Sequence, residues 1–226
     1  MNFSGILNTL LYSLPGIIIG LTIHEYCHAF AADKLGDHTA REMGRLSFNP
    51  LRHLDPIGAL FIIFAGFGWA KPVQFISENL KHPRRDKAII AAAGPLANFI
   101  LALFFIALIK AWFALPGLMD TPEKARRIIS IFYSAPFIAF VTGILRAATI
   151  NLGLFIFNLF PIPPLDGSHI VFSGLNLKKE TEIMIMKIGG PLLFIIIIIQ
   201  NRSGITLLPI GRMVSAILRF FLPELG

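Results

Sequence analysis

Charged residues are scarce in this sequence, making up 15% of its 226 residues. Ordinary soluble domains carry about 25%. Hydrophobic residues make up 55% of the chain, and the mean hydropathy is +0.71. A water-soluble fold of this length would leave too much apolar surface exposed to water. The composition therefore predicts a polytopic membrane protein, organised as a single domain over residues 1–226.

Cysteine is almost absent as well. Cys27 is the single cysteine, so an internal disulfide is excluded. No Lys or Arg precedes Lys34, although a cleavable secretory signal needs a charged leader. We therefore expect the first apolar segment to remain in the membrane.

The formal charge of +7 does not indicate nucleic-acid binding. The basic residues lie in short clusters between apolar runs, which is typical of cytoplasmic loops in membrane proteins. These clusters contain Lys34, Arg41, Arg45 and Arg52, then Lys71, Lys81, Arg84, Arg85 and Lys87. We expect an integral, multi-pass protein of the cell membrane that does not bind nucleic acid, with its N-terminus on the side opposite these loops.

Four apolar stretches are long enough to cross a bilayer: residues 6–23 (continuing to 32), 88–109, 136–157 and 183–199. Residues 57–70 are too few to cross about 30 Å at 1.5 Å per residue, so they predict a re-entrant element, followed by an extended segment at 69–75. Residues 206–222 would span the membrane or lie in its interface. The predicted fold is an all-α polytopic membrane protein with about four to six transmembrane helices and a small re-entrant or β element after the first span.

One motif within the first span carries chemistry. Residues 24–28 read HEYCH, and helical residues four apart share a face, so His24 and His28 can reach one metal ion. Glu25 lies beside that face, where its carboxylate can accept a proton from a water molecule. Histidine and glutamate are costly in an apolar span and are seldom without function there. The motif predicts a catalytic zinc site.

Two histidines leave a catalytic zinc site without its third protein ligand. Periodicity alone does not choose it. Four local candidates and one distant candidate remain open: Asp33, Asp37, His38, Glu42 and Asp166.

Further motifs give the sequence a family resemblance. HEYCH together with NLFPIPPLDG at residues 158–167 resembles the site-2 protease family of intramembrane metalloproteases, in its compact branch without a PDZ domain. The other matching stretches are GRLSFNPLRHLDPIG at 44–58, GWAKPVQF at 68–75 and HPRRDKAIIAAAGPLAN at 82–98. The resemblance covers a core of about residues 14–170, and the C-terminal helices at about 183–222 lie outside it.

This resemblance implies a zinc metalloendopeptidase that holds one Zn²⁺ per chain and cuts transmembrane segments of other membrane proteins. It implies that Asp166 is the third ligand and Glu25 the acid–base residue. It further implies that Asn98 and Asn158 line the cavity and hold the substrate backbone or the developing oxyanion, with the active site toward the cytoplasm.

Three other functions are compatible with parts of the pattern. A membrane metal transporter also places His and carboxylates inside spans, a non-proteolytic family member would bind helices without cutting them, and a zinc enzyme acting on lipids would share the same chemistry. Retention of His24, Glu25, His28 and Asp166 favours the protease over the second of these.

Overall fold

The structure, a computed structural model, describes residues 3–65, 68–115, 119–175 and 177–223, which form nine α-helices and two short 3₁₀ turns. The turns lie at Pro50–Arg52 and Ser77–Asn79. The helices are α1 (Phe3–Lys34), α2 (Thr39–Glu42), α3 (Pro56–Ala65), α4 (Pro83–Ala114), α5 (Pro122–Phe132), α6 (Ala135–Asn158), α7 (Asp166–Gly174), α8 (Lys179–Ser203) and α9 (Ile210–Phe221).

Four of these helices, α1, α4, α6 and α8, are long and apolar enough to cross a membrane. Helices α3 and α9 have ten and twelve residues, or about 15 and 18 Å at 1.5 Å per residue, so neither spans a bilayer. The all-α polytopic prediction is therefore confirmed at its lower number of four spans in the part of the chain that is described.

The predicted β element is not found. Within the described residues the backbone pairing is a single isolated antiparallel bridge between Leu54 and Ala70, and residues 71–76 are extended without a partner strand. Two backbone N–H groups of this segment donate to side-chain carboxylates, that of Val73 to Glu25 and that of Ile76 to Asp37. The segment is held by acidic side chains, which replace the hydrogen bonds that a neighbouring strand would supply.

Helices α1, α4 and α6 pack against one another and form the centre of the molecule. Close approach between them depends on small residues, as is typical of helices in lipid. A β-carbon on Gly16 would lie 2.7 Å from Cα of Ala147, and the side chains of Ala102 and Ala148 are fully buried. Helix α9 covers α6, with Val214 in a cluster of apolar side chains shared by α4 and α6.

The connection from α6 to α7 is compact. A β-carbon on Gly167 would lie 2.3 Å from the carbonyl oxygen of Leu159, and one on Gly189 of α8 would lie 2.4 Å from Cβ of Pro163. Helix α7 also packs on α4. These contacts bring Asp166, the first residue of α7, to the centre of the bundle.

Helix α5 was not predicted from the sequence. It is amphipathic, begins at Pro122, and is capped by Thr121, whose Oγ1 accepts from the N–H of Lys124. Phe132 at its end contacts the ring of Trp112 on α4. An apolar face opposite a charged face is typical of a helix that lies in the membrane interface.

Candidate metal centre

The last part of α1 carries His24 and His28 on one face. Both side chains are buried, and their Nε2 atoms lie 3.0 Å apart. Asp166 at the start of α7 faces the same point, with Oδ2 3.2 Å from Nε2 of His24 and 3.4 Å from Nε2 of His28. The structure thus brings together three side chains that the sequence analysis nominated from distant segments.

The Nδ1 atom of each imidazole has a different partner. Nδ1 of His28 lies 2.7 Å from the carbonyl oxygen of Ile90, which can only accept. Nδ1 of His24 lies 2.6 Å from Oδ1 of Asn98. The amide orientation of Asn98 follows from its Nδ2, which donates to the carbonyl oxygen of Gly20 and to Oδ1 of Asn151. Both Nδ1 atoms therefore carry a proton, so that in the neutral imidazoles, the form that binds a metal, both Nε2 atoms present a lone pair to Asp166.

Three acceptor atoms that face one another with no proton between them repel unless a cation lies among them. Oδ2 of Asp166 is buried and has no hydrogen-bond partner, which is costly for a carboxylate oxygen. A tetrahedral zinc ion with ligands at about 2.0–2.1 Å separates its ligand atoms by about 3.3 Å. The observed separations of 3.0, 3.2 and 3.4 Å and the N, N, O donor set fit zinc.

A cavity of about 420 Å³ opens beside these three side chains. Glu25 lines it, and Oε2 of Glu25 accepts a hydrogen bond of 3.0 Å from the backbone N–H of Val73. Asn158 also lines the cavity, with Nδ2 donating to the carbonyl oxygen of Leu154. Asn98 is fully buried behind His24 and is not among the lining residues. The two asparagines thus occupy different positions relative to the cavity.

The local candidates for a third ligand lie elsewhere and have other partners. Asp33 binds His38 and Arg41, and Glu42 is exposed. The carboxylate of Asp37 accepts hydrogen bonds from the side chains of Thr39 and Asn79 and from the backbone of Thr39 and Ile76.

Asp37 is fully buried. Burial alone would raise the pKa of Asp37, but the hydrogen bonds to its carboxylate hold that pKa below its ordinary value of 3.8. The ionised carboxylate anchors the extended segment 71–76, which forms one wall of the cavity.

Several residues around the site were not identified from the sequence. Arg45 was counted among the loop charges, yet it is buried and donates to the carbonyl oxygens of Arg52 and Lys71. His169, one turn beyond Asp166, lines the cavity, and burial lowers its pKa. Gly94 of α4 lies directly against the two imidazoles. Only the polar character of Arg45 and His169 could have signalled a role, whereas Gly94 has no chemical signal of its own.

Comparison with known proteins gives consistent results. Residues 12–196 match peptidase family M50. Three similar proteins carry the name "Putative zinc metalloprotease", one with the designation YwhC and two with the designation Rip2. YwhC of Bacillus subtilis is 33% identical over 215 residues, covering 93% of this chain and 90% of YwhC.

Rip2 of Mycolicibacterium smegmatis is 30% identical over 191 residues, covering 82% of this chain and 66% of Rip2. Rip2 of Mycobacterium tuberculosis is 28% identical over 174 residues, covering 75% of this chain and 58% of that protein. No solved structure is significantly similar to the chain.

Proposed function

This chain belongs to peptidase family M50, the site-2 protease family of zinc metalloproteases, and from that membership we propose that it is an intramembrane endopeptidase that cuts transmembrane segments of other membrane proteins. One observation carries the proposal: the two imidazoles and the Asp166 carboxylate converge on one point with their lone pairs facing inward. The two imidazoles belong to α1, which is long enough to span a membrane, and the point on which they converge lies beside a cavity.

His24, His28 and Asp166 would hold one zinc ion per chain. A zinc ion in such a site activates a water molecule and polarises the carbonyl of the peptide bond that is cut. Asn98 fixes the ring of His24, and the carbonyl oxygen of Ile90 fixes the ring of His28, so that both Nε2 atoms remain available to the metal.

Glu25 is the proposed general base. Its carboxylate lines the cavity and is oriented by the N–H of Val73. In this role Glu25 takes the proton of the attacking water and later delivers it to the amine that leaves. Asn158 lies on another part of the cavity wall, where its amide can hold the substrate backbone or the oxygen on which negative charge develops.

The chain is an integral multi-pass membrane protein. We place it in the cell membrane with the metal centre toward the cytoplasm, because the basic clusters lie between α1 and α4, at the same end as HEYCH. Labelling of a cysteine introduced at Lys81 should then require a reagent that crosses the membrane. Labelling from outside intact cells by an impermeant reagent would show the opposite orientation.

The proposed function is tested with purified protein in liposomes and a fluorescent transmembrane peptide. Glu25→Gln should lower the cleavage rate about 10²–10⁴-fold, the usual contribution of a general base, while zinc measured by atomic emission stays at one ion per chain. Glu123→Gln, an exposed glutamate of α5, is the matched control and should cleave at the wild-type rate. Undiminished cleavage by Glu25→Gln would rule out the mechanism, and wild-type protein that cuts no membrane peptide would rule out the function.

A further inference from the structure

A second cavity of about 640 Å³ adjoins the catalytic one. It lies among the 3₁₀ turn Ser77–Asn79, the first turns of α4, helix α7 and the first turns of α8. We call it the basic groove, because its charged lining consists of four basic and two acidic side chains: Arg84, Lys87, Lys179, Lys187, Glu78 and Glu182.

The basic groove and the catalytic cavity share a wall residue. His169 lines both, and it follows Asp166 by one turn of α7. Its imidazole is partly exposed and forms no hydrogen bond with any other residue that the structure describes. The two cavities therefore meet at a polar side chain that is available to a chain passing from one to the other.

The charge of the groove favours an anionic occupant. Glu78 lies 4.0 Å from Lys179, but both side chains are largely exposed, so their attraction is weak. Helices α4 and α8 both begin at the groove, at Pro83 and Lys179, but acidic residues in their first turns offset the partial positive charge of these helix N-termini. The excess of basic over acidic side chains in the lining therefore carries the positive charge of the groove. The groove presents a net positive field within one or two residues of the catalytic cavity.

We infer that the basic groove binds an acidic juxtamembrane segment of the substrate. This inference rests on the proposed function, because it requires a peptide whose cut bond lies in the catalytic cavity. A peptide leaving that cavity past His169 enters the groove directly, and extended chain advances about 3.3 Å per residue. A few residues beyond the cut bond would lie among Lys87, Lys187 and their neighbours.

The inference has a consequence for substrate choice. Cytoplasmic flanks of transmembrane helices are usually rich in Lys and Arg, and the groove would repel them. The groove would thus select the minority of helices whose cytoplasmic flank is acidic, by disfavouring the common alternative as much as by attracting the correct one.

Binding is measured separately from cleavage. The full chain carrying Glu25→Gln is placed in vesicles of neutral phosphatidylcholine, and affinity is measured by fluorescence for three transmembrane peptides that differ only in a Glu, Gln or Lys flank. At about 0.05 M salt the Glu-flanked peptide should bind about three- to tenfold more tightly than the Gln-flanked one, as expected for a few exposed charge pairs. The preference should shrink at about 0.5 M salt.

Three double variants identify the surface responsible. Lys87→Gln with Lys187→Gln should remove most of the preference for Glu. Lys81→Gln with Lys178→Gln removes the same charge from exposed residues that do not line the groove, and should retain the preference. Lys87→Glu with Lys187→Glu should invert it, favouring the Lys flank, and this gain of binding cannot come from misfolding.

Three results would overturn the inference: equal binding of the three peptides, equal loss of preference in both Gln double variants, or a charge effect that appears only when anionic lipid is added to the vesicles. The last result would assign the charge effect to the lipid surface and not to the groove. Wild-type cleavage of the Gln-flanked peptide is recorded in parallel. Cleavage together with equal binding of the three peptides would contradict the role of the groove and support the proposed function. Flank-dependent binding without any cleavage would support the role of the groove and contradict the proposed function.

Discussion

Gly94 of α4 lies so close to His28 of α1 that a β-carbon at position 94 would be 2.4 Å from Nε2 of His28. The same β-carbon would lie 2.8 Å from Cε1 of His24. Real β-carbons do not approach other atoms so closely, so a β-carbon at this position would push both imidazoles away from the point where they face Asp166, toward the cavity that they line. Helix α4 can therefore form the back wall of the metal centre only if this residue is glycine.

Gly94→Ala should displace both imidazoles and reduce bound zinc at least tenfold, with a matching loss of cleavage. Zinc per purified chain is the measurement. Gly153→Ala is the matched control, because this glycine of α6 faces open space, and it should bind zinc like the wild type. Full zinc occupancy in Gly94→Ala would contradict the packing described for α1 and α4.

Substitution of Asn98 should lower zinc affinity, whereas substitution of Asn158 should lower the cleavage rate. Asn98→Ala removes the acceptor that orients His24, and loss of such a partner typically lowers metal affinity 10–100-fold. Asn158→Ala leaves both imidazoles supported and should slow cleavage at normal zinc content. Competition with a zinc chelator measures the first effect, and steady-state cleavage the second. Equal zinc affinity in the two variants would contradict the proposal that Asn98 orients His24.

Asp166→Asn should deplete the metal, because a neutral amide is a poor zinc ligand and the buried site loses its negative charge. Asp37→Asn is the matched control, since Asp37 was an equally open candidate before the structure placed its carboxylate against residues 76 and 79. The control should keep its zinc. Retention of zinc by Asp166→Asn would reopen the search for the third ligand.

Val73→Pro removes the N–H that donates to Glu25 while suiting extended backbone. We expect cleavage to fall about tenfold with zinc content unchanged, because the general base loses its orientation. Gln74→Pro introduces the same ring at a residue whose N–H has no partner in the described chain, and should have a smaller effect. Phe75→Pro tests the related hypothesis that this segment also offers N–H groups to an unwound substrate, which predicts slower cleavage there as well.

Asp37 should make stability depend on pH in a defined direction. Its pKa in the folded protein lies below the ordinary 3.8, so the ionised carboxylate stabilises the fold above about pH 3.8 and loses this effect as the pH falls through the folded pKa. The Tm of the wild type should exceed that of Asp37→Asn at pH 7, and the gap should narrow below pH 3.8. Asp120→Asn, at an exposed residue, should show no gap at either pH.

The membrane spans and the paired histidines could be predicted from the sequence because both depend on local patterns. Span length follows from apolar runs, and a shared helix face follows from a spacing of four. Asp166 was one of five open candidates for the third ligand and could be selected only through the family resemblance, since no local rule relates α7 to α1. The same resemblance named Asn98 as a cavity residue, but its contact with His24, like that of Ile90 with His28, follows only from the packing of α4 on α1.

The β alternative for the element after the first span is not found in the described residues, for a related reason. Residues 69–75 favour extended backbone, and the structure has it, but a strand also needs a partner. Here Glu25 and Asp37 take the N–H groups that a partner would use. Helix α5 was not predicted because its charged face interrupts the apolar runs from which the other helices were predicted. An amphipathic helix is recognised by its periodicity and not by its mean hydropathy.

The three inward-facing acceptor atoms belong to two segments that lie far apart in the chain: two are in α1, and the third is in Asp166 at the start of α7. Zinc binding would therefore hold α1 and α7 together, and its binding free energy would stabilise the folded form alone. When zinc is scarce, α7 would separate from α1 more readily, and the unfolded protein would be degraded. Metal supply would in that way set how much of the enzyme a cell keeps, in addition to how fast each copy works.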